Sequence, residues 1–153
     1  MRISSFLTPE LIIPALRALD KEGVIIELAR NIAAFFPKLS QGELVAILKE
    51  REKLGSTGIG EGFAIPHGKL KNIDQIIISF GRSRSGIPFE SMDGKPAHYF
   101  FVLVAPENSA GDHLKALAKI SRFIKNPVFR EELARAEDRE TLERLIREQD
   151  DLT

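Results

Sequence analysis

Residues 51–69 read REKLGSTGIGEGFAIPHGK and differ in composition from the rest of the chain. This segment contains five glycines, at positions 55, 58, 60, 62 and 68. A flexible linker rarely encloses an apolar tetrapeptide such as residues 63–66, FAIP. We therefore expect an ordered loop that contains a short buried strand ending at His67.

His67 stands inside this glycine-rich segment, where a side chain can be presented in a cleft with backbone N–H groups nearby. A neutral imidazole attacks phosphorus near pH 7 and also leaves readily, so a phosphoryl group on histidine stays transferable. A phosphoserine ester would be too stable for repeated transfer. The residue type and its position favour a nucleophile over a packing role.

The two other histidines have weaker claims to chemistry. His98 alternates with apolar residues in a predicted strand, which indicates a packing or edge role. His113 falls in the first turn of a predicted helix, where free N–H groups and the helix dipole attract anions. It also shares a helix face with Leu117 and Ile120, so a structural role stays open for His113.

Arg51 belongs to the charged run Lys49–Lys53, which is typical of a solvated helix surface. A guanidinium is nevertheless the preferred partner of a phosphoryl group, because its planar fork can donate two hydrogen bonds. The sequence alone leaves both roles possible for Arg51.

Nucleotide-binding motifs are absent from the glycine-rich segment. Gly68-Lys69 is followed by Leu70, and Phe63 stands where a phosphate-binding G-x-x-x-x-G-K-[ST] loop needs its first glycine. The glycines at 58, 60 and 62 are too closely spaced for a G-x-G-x-x-G dinucleotide fingerprint.

The composition describes a chain the size of one ordinary domain, and we predict a single domain over residues 1–153. Its 22 basic and 22 acidic residues give no overall field that would favour nucleic acid or an anionic membrane. Cysteine is absent, which excludes disulfides and the usual zinc sites and agrees with a reducing cytoplasm. The N-terminal residues resemble neither a cleaved leader nor a membrane-spanning segment, so we expect no membrane insertion.

Hydrophobic periodicity and capping signals divide the chain into alternating strands and helices. Pro37 and a Ser40-x-x-Glu43 capping box separate the first two predicted helices. This alternation predicts an α/β fold with helices on both faces of a mixed β-sheet. The predicted elements are an edge strand at 11–16, helices at 20–36 and 40–53, strands at 75–81 and 97–105, and helices at 112–125, 127–136 and 138–148.

The segment Arg51–Lys69 closely resembles the active-site region of the fructose/mannitol-type enzyme IIA domains of the phosphoenolpyruvate:sugar phosphotransferase system. Its most specific part is the run Ala64–Gly68, AIPHG, with GEG before it at residues 60–62. Within that family, the sequence of this segment is most similar to that of the nitrogen-regulatory branch. The resemblance extends over nearly the whole chain and is weakest before about residue 40.

This resemblance implies that His67 is the phosphorylated residue and that Arg51 and His113 are its partners around the phosphoryl group. It implies no metal and no cofactor. The donor would be the histidine phosphocarrier HPr or its nitrogen-branch relative, and the recipient a IIB protein or a regulated target protein in the cytoplasm. We also consider the loop N–H groups as phosphate ligands, from Gly58, Ile59, Gly60, Glu61 and Gly62.

Three functions are compatible with these residues. The first is a regulatory phosphocarrier of the nitrogen type, and the second is a sugar-transport IIA component that donates to a IIB protein. The third is a module that binds anions or proteins in the same cleft without transferring a phosphoryl group. The presence of Arg51, His67 and His113 together argues against the third.

Overall fold

A computed structural model describes residues 1–153 and contains five α-helices and two short 3-10 helices, at Ile3–Phe6 and Pro9–Leu11. Helix α1 spans Lys21–Phe35 and helix α2 spans Gln41–Lys53. The carboxylate of Asp20 accepts the N–H of Gly23 at 2.7 Å, and the hydroxyl of Ser40 accepts an N–H at 3.2 Å. These caps satisfy N–H groups that the first turn of a helix leaves free, which is why both helices begin as the sequence predicts.

The last three helices follow one another at the C-terminal end: α3 at Ala110–Ile124, α4 at Pro127–Arg135 and α5 at Arg139–Leu152. The side chains of Asn126 and Asp138 cap α4 and α5. All three predicted helices are confirmed, with ends displaced by a few residues. None of the five helices is long and apolar enough to span a membrane.

Six strands form one mixed sheet: β1 Ile12–Ile13, β2 Gly58–Gly60, β3 Phe63–Ala64, β4 His67–Leu70, β5 Ile77–Ile87 and β6 Ala97–Pro106. Their order is β1-β5-β6-β3-β2, and β4 also pairs with β6. Strands β5 and β6 are antiparallel, whereas β1 runs parallel to β5, and β3 and β4 run parallel to β6. Strand β6 is buried almost throughout, as its continuous apolar sequence predicts.

Helices cover both faces of this sheet, which confirms the predicted α/β architecture. On one face, Leu28 of α1 packs so closely over Gly81 of β5 that a Cβ there would lie 3.0 Å from the leucine Cδ2. On the other face, the ring of Phe123 in α3 meets Phe101 of β6 with 6.1 Å between centroids. One apolar core of 40 buried residues joins the two layers.

Three predicted strands differ from the structure, and the first two differ in length. The edge strand expected at 11–16 is only Ile12–Ile13, because Pro9–Leu11 form a 3-10 turn and Pro14 lacks the N–H that a longer ladder needs. It does lie at the edge of the sheet. The strand expected at 75–81 continues to Ile87 through a polar stretch, since Arg82 pairs with Tyr99 of β6.

For the strand expected at 63–66, the predicted end at His67 is wrong. Phe63–Ala64 form β3 and leave the ladder before Pro66, and His67 begins β4 instead of ending a strand. Both short strands pair with β6, so one long central strand holds the whole segment in place.

Candidate functional site

His67 is positioned by the pairing of β4 with β6 and by the packing of α2 against β4. It lies opposite Leu103, and the next residue, Gly68, has no side chain to separate the strand from α2. A Cβ at Gly68 would lie 3.1 Å from Cδ1 of Ile47. Arg51 lies one helical turn beyond Ile47 on the same face of α2, so this close approach brings Arg51 beside His67.

The hydrogen bonds of His67 define its tautomer. Nδ1 lies 2.8 Å from the carbonyl oxygen of Ile65, which can only accept, so Nδ1 carries the proton. Nε2 is therefore the unprotonated nitrogen, and Nε of Arg51 donates to it at 3.3 Å. Arg51 is itself held by a 2.8 Å hydrogen bond from Nη1 to the carbonyl of Gly55. The half-buried imidazole thus directs its lone pair toward a fixed guanidinium.

His113 completes the cluster from the other side. Helix α3 follows β6 after a short turn, and His113 in its first turn has its ring 5.3 Å from the ring of His67, at an interplanar angle of 74°. Its Nδ1 is buried and has no hydrogen-bond partner. The structure therefore brings together Arg51, His67 and His113, which the sequence places on three different elements.

Both histidines favour their neutral forms. Burial is the main cause that lowers the pKa of His67, and Arg51 lowers it further, while the hydrogen bond to Ile65 and the charge of Glu52 oppose the shift. Burial also lowers the pKa of His113, with smaller effects from His67 and Lys69. A neutral imidazole at position 67 keeps its lone pair available near pH 7.

The N-terminus of α3 differs from those of the other four helices, all of which are capped by a side chain. No side chain caps α3, because the hydroxyl of Ser109 donates to the carbonyl of Pro106 instead. The first N–H groups of this helix therefore have no partner from a capping side chain, and the positive end of the helix dipole lies beside His113. The arrangement suits an anion placed between His67 and α3.

Glu52 is a site-supporting residue that the sequence analysis missed. Its side chain is only 6% exposed and pairs with Nζ of Lys21 at 3.0 Å. It also accepts the backbone N–H of Thr57 at 3.0 Å and the Thr57 hydroxyl. Glu52 thereby ties α2 to the start of the glycine-rich segment. Its place in a run of charged residues resembles a solvated face, and no local signal marks it as buried.

Gly62, at the far end of the predicted phosphate-binding loop 58–62, lies away from this cluster. The carbonyl of Gly62 accepts hydrogen bonds from the N–H groups of His98 and Tyr99, whereas His67 lies opposite Leu103. Four residues along β6 correspond to about 13 Å. The phosphate-binding role of Gly58, Ile59, Gly60, Glu61 and Gly62 gains no support from this geometry and stays a prediction.

Two N–H groups of the loop are also already used within the protein. Gly58 donates to the hydroxyl of Ser56 at 3.0 Å, and Glu61 donates to the carboxylate of Asp93 at 3.2 Å. His98 contacts the carbonyl of Ser83 through Nδ1 at 2.9 Å and lies outside the cluster. No group of three or more His, Cys, Asp or Glu side chains is arranged to hold a metal ion.

The fold and the cluster of Arg51, His67 and His113 agree with the class of phosphocarrier IIA domains. The family model described as phosphoenolpyruvate-dependent sugar phosphotransferase system, EIIA 2, matches residues 5–149. The chain therefore belongs to this family.

Two relatives illustrate the two branches of the family. The chain is 40% identical to a nitrogen regulatory protein of Bradyrhizobium diazoefficiens over 142 residues, which are 93% of this chain and 92% of that protein. It is 38% identical to the fructose-specific EIIABC component of Bacillus subtilis over 152 residues, which are 98% of this chain but 24% of that protein.

A solved structure has the same fold over nearly its full length. The nitrogen regulatory protein IIA-Ntr from Neisseria meningitidis superposes with a TM-score of 0.88 at 32% identity. The match covers 94% of this chain and 98% of that one.

Proposed function

We propose that the protein is a phosphocarrier that receives a phosphoryl group on Nε2 of His67 and acts as a regulatory IIA protein of the nitrogen type. The observation that carries the site assignment is the pair of hydrogen bonds to the ring. The Ile65 carbonyl holds the proton on Nδ1, and the Arg51 guanidinium marks the position of an anion at Nε2.

The transfer step follows from this geometry. The lone pair of Nε2 attacks the phosphorus of a donor phosphohistidine in line, a nitrogen–phosphorus bond forms, and the donor's own bond breaks with its electron pair returning to the donor imidazole. Positive charge develops on the His67 ring during the attack. The Ile65 carbonyl stabilises this charge through the hydrogen bond from Nδ1–H. Retention of that proton also keeps the bound phosphoryl group labile.

Three groups are available for the oxygens of the phosphoryl group. Arg51 supplies a positive charge and an N–H that already points at Nε2. His113 contributes a ring whose Nδ1 is unpartnered. The uncapped N-terminus of α3 offers backbone N–H groups. Fixed donors of this kind stabilise developing negative charge without reorganisation during the reaction.

The regulatory branch is favoured by the relatives that match along their full length. The two nitrogen regulatory proteins match over more than nine tenths of both chains, whereas the fructose component is a much longer protein. The identities of 40% and 38% are similar, so a sugar-specific IIA component that donates to a IIB protein is the second candidate.

The proposed donor is phosphorylated HPr or its nitrogen-branch relative, and the proposed location is the cytoplasm. The proposed recipient is a target protein that distinguishes the phosphorylated from the unphosphorylated form. Phosphorylation converts a neutral imidazole into a group with a dianionic phosphoryl, which is a change large enough to alter docking.

Intact-mass analysis after incubation with phosphoenolpyruvate, enzyme I and HPr tests the transfer. We expect one acid-labile phosphoryl adduct on the wild type and on the control variant His98→Gln, and none on His67→Gln. His98 is a suitable control because it is also half-buried and its Nδ1 also lies within hydrogen-bond distance of a backbone carbonyl oxygen. An acid-stable adduct, or one that persists in His67→Gln, would overturn the assignment.

A second experiment separates the two branches. Phosphorylated and unphosphorylated protein are each immobilised, and bound proteins are compared with those captured by His67→Gln. The regulatory role predicts a partner whose capture changes with phosphorylation. Transfer of the phosphoryl group to a IIB protein, with no partner sensitive to phosphorylation, would instead support the sugar-transport role.

A further inference from the structure

Strand β5 contains a buried arginine that has no acidic partner. Arg82 is 2% exposed, and its Nε donates to the carbonyl of Pro14 at 3.0 Å. Its Nη1 donates to the carbonyl of Leu133 at 2.8 Å and to that of Ala136. These last two carbonyls belong to the C-terminal end of α4, where a cation is favoured by the helix dipole.

The second terminal nitrogen of Arg82 is unused. Nη2 is buried and has no hydrogen-bond partner, although it carries two N–H groups. The neighbouring Arg84 is exposed, and its Nη2 donates to the carbonyl of Ala136 at 3.2 Å. Neither Arg82 nor Arg84 takes part in an ion pair. Two adjacent guanidinium groups are thus left without a counter-ion.

Such an arrangement is costly unless an anion completes it. An unpartnered buried donor loses hydration that no hydrogen bond replaces, and an uncompensated buried charge is more costly still. Burial is the main cause that lowers the pKa of Arg82, and the charge of Arg84 adds to it. Capping of α4 explains the contacts of Nη1 but leaves Nη2 without a role.

The two arginines line a cavity of about 310 Å³. This volume is at the lower end of the range of small-molecule sites. Tyr99 faces it from β6, directly opposite Arg82 in the strand register. None of the lining residues is acidic; they are Arg82, Ser83, Arg84, His98, Tyr99 and Ala134.

We propose that this cavity binds a small anion that carries a phosphate group, such as inorganic phosphate or a phosphomonoester. Nη2 of Arg82 donates from the buried side, and Arg84 closes over the anion from the exposed side. A guanidinium fork matches the geometry of phosphate oxygens better than an ammonium does. The lining supplies hydrogen-bond donors and positive charge and contains no carboxylate that would repel the anion.

The site is separate from the cluster around His67. Tyr99 lies four residues along β6 from Leu103, the neighbour of His67, which corresponds to about 13 Å. Binding of the anion does not depend on the transfer of a phosphoryl group to His67, so the two proposals can fail independently.

Titration of ¹⁵N-labelled protein followed by ¹H–¹⁵N correlation NMR tests the proposal. The variant His67→Gln serves as the background, so that a phosphoryl group on His67 does not contribute, and shifts around Arg51 and His113 are fitted separately. The probes are inorganic phosphate, glycerol phosphate and malonate, at constant ionic strength because surface charges are screened by salt. We expect saturable shifts at the amides of residues 82–84 and 98–99 with the two phosphate-bearing probes.

Removal of the exposed arginine identifies its contribution without disturbing the core. Arg84→Gln should weaken phosphate binding by roughly tenfold, the effect of one charged hydrogen bond. Arg144→Gln, which removes a similarly exposed arginine from α5, should leave it unchanged. The proposal is overturned if no saturable shift appears below about 50 mM phosphate, a range that already covers weak binding. Binding of malonate alone, or equal phosphate affinity in both arginine variants, would also overturn it.

Discussion

Nδ1 of His67 lies 2.8 Å from the carbonyl oxygen of Ile65, and this contact determines which ring nitrogen is free to react. Ile65 precedes Pro66, which restricts its backbone to extended conformations. The carbonyl is therefore fixed by the local sequence, and Nε2 is left to face Arg51. The tautomer of the proposed nucleophile is set by the residues just before it.

Removal of the Arg51 guanidinium should slow phosphoryl acceptance. In Arg51→Gln the charge and the Nε–H near Nε2 are both lost, and we expect the maximal rate to fall about 100-fold, the usual effect of losing one fixed donor. Arg51→Lys retains the charge but not the planar fork, so its maximal rate should lie between those of the wild type and Arg51→Gln. Initial rates with a phosphorylated carrier measure this, and Arg147→Gln on the surface of α5 is the control. An unchanged rate in Arg51→Gln would exclude a role for this side chain.

Phosphorylation should raise the pKa of His113. Burial and the neighbouring His67 lower it in the unphosphorylated protein. A dianion on His67, whose ring lies 5.3 Å away, favours the protonated form of His113 and reverses part of this shift. Titration of the ring protons of His113 by NMR in the two states gives both pKa values. Equal values for His113 in both states would show that it does not contact the phosphoryl group.

The two clustered histidines should make the protein less stable in acid. Their pKa values are lowered in the folded state, so the unfolded chain binds more protons once the pH falls below the ordinary histidine value of 6.5. The stability that their neutral forms contribute is complete above that pH and is lost below it. Urea unfolding at about pH 7.5 and pH 5.5 should show a smaller loss of free energy in the double variant His67→Gln/His113→Gln than in the wild type. Equal losses would contradict the lowered pKa values.

A side chain at Gly68 should disturb the contact that places Arg51. The Cβ of Gly68→Ala would lie 3.1 Å from Cδ1 of Ile47, which forces the α2 side chain to move. We expect the free energy of unfolding to fall by about 1–2 kcal/mol, as for modest overpacking, and phosphoryl acceptance to slow. Gly111→Ala is the matched control, because apart from its chain neighbours and the backbone of α3 no atom lies within 4 Å of its Cβ position. If the two variants were equally stable, the packing of α2 on Gly68 would not be tight.

Much of the fold could be predicted because its signals are local. The capping box at Ser40 and the apolar run of β6 each depend on neighbours within a few residues. The extension of β5 past Gly81 could not be predicted. Its Arg82 is buried because its hydrogen bonds go to carbonyls that are distant in sequence, those of Pro14, Leu133 and Ala136.

The residues of the candidate site could be named from the sequence, but their arrangement in space could not. His67 could be chosen for its chemistry, whereas Arg51 and His113 gained their roles from the family resemblance. Their proximity depends on the register of β4 against β6 and on the return of the chain into α3, and both are long-range features. The role of residues 58–62 as phosphate ligands stays a prediction, because Phe63, the next residue, pairs with Tyr99, four residues along β6 from the partner of His67.

The most direct test of the account is long-range ¹H–¹⁵N NMR of the phosphorylated protein, with nitrogen-labelled histidine. The chemical shifts and phosphorus couplings of the ring identify the modified residue and the modified nitrogen. We predict a phosphoryl group on Nε2 of His67, with Nδ1 still protonated and hydrogen-bonded to Ile65. A phosphoryl group on Nδ1 of His67, or on another residue, would contradict the account.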